Sequence, residues 1–161
     1  MITPITKECI YKWANILKAK PTLIKDTFSI GKYNNLTNLL NSILQINHHP
    51  TVNKSWFQGF HFLFNNQLNT KLGSDGYDNY QAPVNEQGEQ LYLRRMWARG
   101  ELEFVSTPPL NSPIDCRETL KSVRIIDDSV LVSIWRDFIF QSEEVLKESR
   151  TLTYTNELYS P

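Results

Sequence analysis

The chain is poor in cysteine, has no charge excess of either sign and has no long apolar run. Cys9 and Cys116 are its two cysteines, far apart and outside any CxxC or Cys/His spacing. That excludes a disulfide framework, gives no zinc signature and fits a reducing compartment. Seventeen Lys and Arg balance seventeen Asp and Glu, which removes the bulk electrostatic pull that a dedicated nucleic-acid or anionic-membrane binder needs. No stretch approaches the roughly 20 apolar residues of a membrane helix, and the start lacks the apolar core of a secretory signal. A soluble protein is expected. Without a secretory signal, the sequons Asn35-Leu36-Thr37 and Asn53-Lys54-Ser55 read as chance matches in an Asn-rich chain. The apolar fraction of 40% is on the low side, yet 161 residues suffice for one domain with its own core.

Arginine is also missing from the first 47 residues, where six lysines face only Glu8 and Asp26. This lopsided segment fits an organelle-targeting sequence and a plain surface helix about equally, since targeting segments are usually Arg-rich and acid-poor. The helix itself is predicted from a Thr6 cap, an Ile10, Trp13, Ala14 and Leu17 face, and Pro21 beyond its end. A second helix is predicted over 35–46, because Leu36, Leu39, Leu40, Ile43 and Leu44 recur at i, i+3, i+4, i+7 and i+8; that stripe reads as core. His48-His49 next to Pro50 reads as a helix end or a solvated loop. The aromatic run Trp56 to Phe64 reads as a strand or extended pocket wall, and 65–90 as a long irregular connection.

From Arg94 to Val105 polar and apolar residues alternate strictly. Met96, Ala98, Gly100, Leu102 and Phe104 take one face, expected to be buried, and Arg95, Trp97, Arg99, Glu101 and Glu103 the other. Three further strands follow over 114–126, 130–140 and 145–155. The first has a break in alternation between Leu120 and Val123 that predicts a bulge. The second is apolar on both faces, as a central strand would be. Asp127-Asp128-Ser129 supplies the turn between them. Helices early and an antiparallel meander late predict an α+β domain.

Three segments are recognisable in order: Gly59-Phe60-His61-Phe62-Leu63-Phe64, then Asp75-Gly76-Tyr77-Asp78-Asn79-Tyr80-Gln81-Ala82-Pro83, then Arg94-Arg95-Met96-Trp97-Ala98-Arg99-Gly100-Glu101-Leu102. With Arg150 to Asn156 they resemble the fungal mitochondrial hydroxyacyl-thioester dehydratases of type 2, over about the last two-thirds of the chain. The specific string is RRMWARGELEF. In it Arg99 stands where the family usually has the first of two glycines. The resemblance implies a hot-dog domain, a helix wrapped by an antiparallel sheet, and specifically the N-terminal half of a double hot-dog. It divides the chain into an N-terminal helical segment (1–33), a hot-dog-like domain (34–157) and the start of a linker (158–161). It also implies mitochondrial location and dehydration of a 3-hydroxyacyl thioester, carried by acyl carrier protein or CoA, in type II fatty-acid synthesis. No cofactor and no metal are expected.

Such dehydration needs one group to take the proton beside the thioester carbonyl and another to protonate the leaving hydroxyl. In hydratase-type hot dogs an Asp or Asn followed five residues later by His supplies this. Five residues before His48, His49 and His61 stand Ile43, Leu44 and Trp56, so the motif is absent and the chain is expected to be inactive alone. The remaining candidates concern ligand or interface. His61 reads as a core or pocket-wall histidine rather than a base. Asp75 opens a turn that by resemblance flanks the acyl channel; as the first position of a calcium loop it fails, because positions three and six are Tyr77 and Tyr80. Arg95 and Arg99 read as ion-paired with Glu101 and Glu103, or as contacts to a pantetheine phosphate or acidic carrier protein. Trp97 covers either a substrate tail or a partner hot dog, the partner being preferred. The chain therefore reads as a non-catalytic half that shapes the acyl pocket and pairs with a catalytic hot dog. The alternatives are a stand-alone acyl-binding module that homodimerises, and a scaffold without a thioester ligand.

Overall fold

A computed structural model describes residues 4–44, 59–66, 72–73, 76 and 80–157. In chain order the elements are α1 (Pro4–Ala19), β1 (Thr22–Thr27), α2 (Ile30–Leu44), a short 3-10 turn (Phe60–Leu63), β2 (Arg94–Phe104), β3 (Pro113–Ile126), β4 (Ser129–Phe140) and β5 (Glu143–Thr155). The strands form one antiparallel sheet in the order β1-β3-β4-β5-β2. The meander β3-β4-β5 lies at its centre, as alternation predicts. It is joined by tight turns at Asp127 and at Gln141-Ser142, all with positive φ, which matches the twist of the flanking strands.

Alternation puts Ile114, Cys116, Leu120, Val130, Val132, Ile134, Phe138, Leu146, Leu152 and Tyr154 on one buried face. Each helix buries part of its apolar face there, in two clusters. Ile10, Trp13 and Ala14 of α1 pack with Leu120, Val130, Val132, Ile134, Leu152 and Tyr154. Tyr33 of α2, Phe60 of the 3-10 turn and Phe64 just after it pack with Phe28, Ile114, Cys116, Phe138 and Leu146.

Several expectations are corrected. The first 33 residues are not helical throughout: β1 lies within them, paired with β3 from Thr22↔Glu118 to Thr27↔Pro113. Helix α1 starts at Pro4, so Thr6 sits inside its first turn rather than capping it; Pro suits a first helical position because its missing N–H has no partner to lose there. Helix α2 starts at Ile30 instead of Asn35, because Ser29 caps it, its Oγ accepting the Gly31 N–H at 3.2 Å. Its leucine stripe is not all core: Leu39 is 54% and Ile43 64% exposed. Residues 60–63 form a 3-10 turn rather than a strand, entered through Gly59 at φ 98°, a left-handed conformation that glycine adopts without a Cβ clash.

The largest correction concerns β2. Its pairing with β5 shifts between Trp97 and Arg99, a bulge that adds one residue and reverses the side-chain phase. Arg95 and Trp97 pair with Tyr154 and Leu152; beyond the bulge Gly100, Leu102 and Phe104 pair with Arg150, Glu148 and Leu146. These five therefore share the helix-covered face, and Met96, Arg99, Glu101 and Glu103 take the other. Met96 and Leu102, expected in the core, are 54% and 38% exposed. The bulge predicted in β3 is present, between Leu120 and Ser122.

Candidate functional site

Across the middle of the covered face runs a row of buried charges. Glu118 of β3, Arg136 of β4 and Glu148 of β5 are direct cross-strand partners, and Arg150 follows Glu148 on the same face of β5. Arg136 Nε lies 3.3 Å from Glu118 and its Nη1 donates to Glu148 at 3.1 Å. Its Nη2 donates to the Asn65 carbonyl at 2.6 Å. Arg150 reaches Glu118 at 3.5 Å. Tyr80 donates its hydroxyl proton to Glu118 at 2.8 Å, and the Gln81 amide donates to the same carboxylate. Buried carboxylates need this density of donors, since an unpaired buried charge costs several kcal/mol. Asn65 anchors the row by donating to the Ile24 and Ile114 carbonyls, each at 2.8 Å. Burial drives the Tyr80 phenol far above its ordinary range and the Cys116 thiol up to about 12, so neither is a nucleophile.

At the β2 end the row opens onto aromatic side chains. Arg150 lies 5.7 Å from the Trp97 ring centre, and Phe62 meets the indole edge-on at 6.3 Å. Trp97 and Phe62 are 49% and 50% exposed. Behind Phe62, at 3.9 Å between ring centres, stands His61, fully buried and flanked by Phe104 and Phe138. Neither of its ring nitrogens has a hydrogen-bond partner among the described residues. Burial pushes its pKa down to about 4, with Arg136 and Arg150 adding to the effect against Glu148. It is a neutral imidazole at physiological pH.

Thus His61 and Trp97 come together through Phe62. Arg95 shares their face but Arg99 does not: it projects from the open face, 3.5 Å from Glu101, with both groups well exposed. Asp75, His48 and His49 lie outside the described residues. Among the described residues no group of three His, Cys, Asp or Glu could hold a metal ion. The charged row was missed in the sequence, although its signal is there: Glu118, Arg136, Glu148 and Arg150 each occupy a position in phase with the apolar residues of their strand.

Helices on one face of a five-stranded antiparallel sheet define a hot-dog-like fold. The same architecture is found in the ChsH1-ChsH2 complex of Mycobacterium tuberculosis. A chain of that complex superposes with a TM-score of 0.64 at 13% identity, covering 96% of each chain. Residues 59–161 match the family model for hydroxyacyl-thioester dehydratase type 2, and the chain belongs to that family. It is 32% identical over 150 residues to the mitochondrial hydroxyacyl-thioester dehydratase type 2 of Saccharomyces cerevisiae, an alignment covering 87% of this chain. The chain spans about half the length of that relative, 52%.

Proposed function

We propose that this chain is the non-catalytic hot dog of a 3-hydroxyacyl-thioester dehydratase, one half of a double hot-dog. In this reading it works in mitochondrial type II fatty-acid synthesis on substrates carried by acyl carrier protein. The observation that carries the reading is the state of His61. A general base or acid must reach the reacting proton and titrate near the working pH. His61 is sealed behind Phe62, Phe104 and Phe138, is neutral down to about pH 4, and has Trp56 where the motif needs Asp or Asn. The acid–base pair then belongs to the second hot dog. This chain contributes the rim of the acyl pocket at Trp97, Phe62 and Arg150, and its edge strand β2 for pairing, since an edge strand offers unpaired backbone groups to another sheet. Mitochondrial location is supported by the name of the yeast relative.

The test is hydration of a 2-enoyl thioester by the purified chain, followed at the enoyl absorbance. No turnover is expected alone, with turnover appearing when a polypeptide carrying the catalytic hot dog is added. Turnover by the chain alone would overturn the assignment.

A second reading, a scaffold without a thioester ligand, is favoured by one feature. Tyr33 stacks on Phe60 at 4.7 Å and Phe28 meets Phe64 at 5.2 Å, filling the space between α2 and the sheet that an interior acyl tunnel would use. Binding of a 3-hydroxyacyl thioester, read by tryptophan fluorescence, separates the two: the first reading expects a saturable change that Trp97→Ala removes, the second none.

A further inference from the structure

The turn that carries His61 is fixed at both ends. It is entered through the left-handed Gly59 and left through Asn65, whose N–H donates to Asp26 at 3.0 Å and whose side-chain amide ties β1 to β3. Asn65 itself holds φ 53°, a left-handed conformation that a residue with a Cβ keeps only where its surroundings over-determine it. Lys32 of α2 adds a bond to the Leu63 carbonyl at 3.4 Å and lies 5.0 Å from the Phe64 ring centre. Phe62 turns outward from this rigid wall, while Phe60, His61 and Phe64 are fully buried. Inward from the rim at Trp97 and Phe62 the rings follow at contact spacing: Phe62 to His61 at 3.9 Å, His61 to Phe138 at 6.0 Å, and Tyr33 on Phe60 at 4.7 Å. Across Phe138, 5.0 Å from its ring centre, lies the Arg136 guanidinium of the buried charged row.

We propose that His61 is the end wall of the acyl pocket, and that this half accepts an acyl tail of butyryl length and excludes medium and long chains. The inference rests on the thioester reading and adds a substrate class to it. A tail entering between Trp97 and Phe62 meets the imidazole first. To go further it would have to part rings packed at interior density and then lie on ion-paired charges, for which an alkyl chain offers no compensation. The consequence is a particular dependence on chain length. In a pocket matched to a long tail each added methylene strengthens binding about fourfold. Against an end wall the surplus methylenes stay in water or force the rings apart, and the affinity stops rising.

Calorimetric titration of the whole chain with 3-hydroxybutyryl-, 3-hydroxyoctanoyl- and 3-hydroxydodecanoyl-pantetheine tests it, with circular dichroism to confirm that each variant folds. The wild type should bind the butyryl thioester, and the two longer ones no more than about threefold more tightly, less than one buried methylene supplies. His61→Ala should move the ratio of dodecanoyl to butyryl affinity by at least about tenfold towards the longer chain, since two newly buried methylenes are worth that much. Phe104→Ala, at the end of the edge strand β2, removes the ring 6.2 Å from the imidazole and should act in the same direction, which covers the case of a His61→Ala chain that does not fold. A wild-type affinity that climbs steadily from butyryl to dodecanoyl overturns the length limit and leaves the thioester reading standing, as does an unchanged ratio in the folded variants. Binding at none of the three lengths overturns both.

Discussion

The Trp97 indole lies across Gly100: a Cβ built on Gly100 would come within 2.9 Å of the indole Nε1. The two residues are neighbours on one face only because the bulge at Ala98 reverses the phase of β2. Gly100 has no left-handed φ to justify a glycine; what it provides is room for the indole between the β2 backbone and Arg150.

Gly100→Ala should destabilise the chain by about 1–3 kcal/mol, the usual cost of forcing a methyl into occupied space. Adding Trp97→Ala should recover most of that loss. Denaturant unfolding of the two single variants and the double measures the coupling, and strict additivity would show that the two side chains do not compete for the same space.

Deleting Ala98 should be tolerated far better than deleting Glu101. The first removes the extra residue of the bulge and leaves Trp97 and Leu102 on their present face. The second turns one end of β2 over, sending outward either Leu102 and Phe104 or, in their place, Trp97 and Arg95. Melting temperatures of the two deletion variants should separate clearly, and equal losses would contradict the register described.

Arg136→Met should cost about 3–5 kcal/mol, because it removes the closest cation of the buried Glu148 and leaves Glu118 with only Arg150, Tyr80 and Gln81. Replacing all three residues by apolar ones of similar volume should cost less than the single change. Urea unfolding of both variants decides it.

His61 makes stability depend on pH in a fixed direction. Its folded pKa, about 4, lies below the ordinary value near 6.5, so between those limits the unfolded chain binds the extra proton. Stability from this residue is full above about pH 6.5 and is lost as the pH falls towards 4. His61→Phe should flatten that part of the profile, measured as unfolding midpoint against pH. An unchanged slope in the variant would mean that another group titrates there.

The central meander was legible because β3 alternates up to Leu120, where the break announced its bulge, and because β4 is apolar on both faces, as a central strand is. In β2 the alternation of residue types ran unbroken through Ala98, so the bulge left no trace. Trp97, standing among arginines, was assigned to their face when it belongs with Gly100 and Leu102. Strand β1 was hidden because Thr22 to Thr27 carries Lys25 and Asp26 in a lysine-rich stretch, and its pairing with β3 is a long-range contact. The 59–64 run misled because composition does not distinguish an extended strand from a turn that sends Phe60 and Phe64, four residues apart, to the same side. His61 was readable as a wall residue from its aromatic neighbours. The charged row was not, because a lone charge in one strand looks like noise until the strands are aligned and the charges meet.

That alignment bears on how the sheet assembles. Sliding β4 by two residues against its neighbours would keep every side chain on its own face, so hydrophobic patterning cannot reject the error. The slide would set Ile134 or Phe138 opposite Glu118 and Glu148 in place of Arg136. The one arginine therefore acts as a proofreader of strand alignment, admitting a single register among those that the greasy residues would accept.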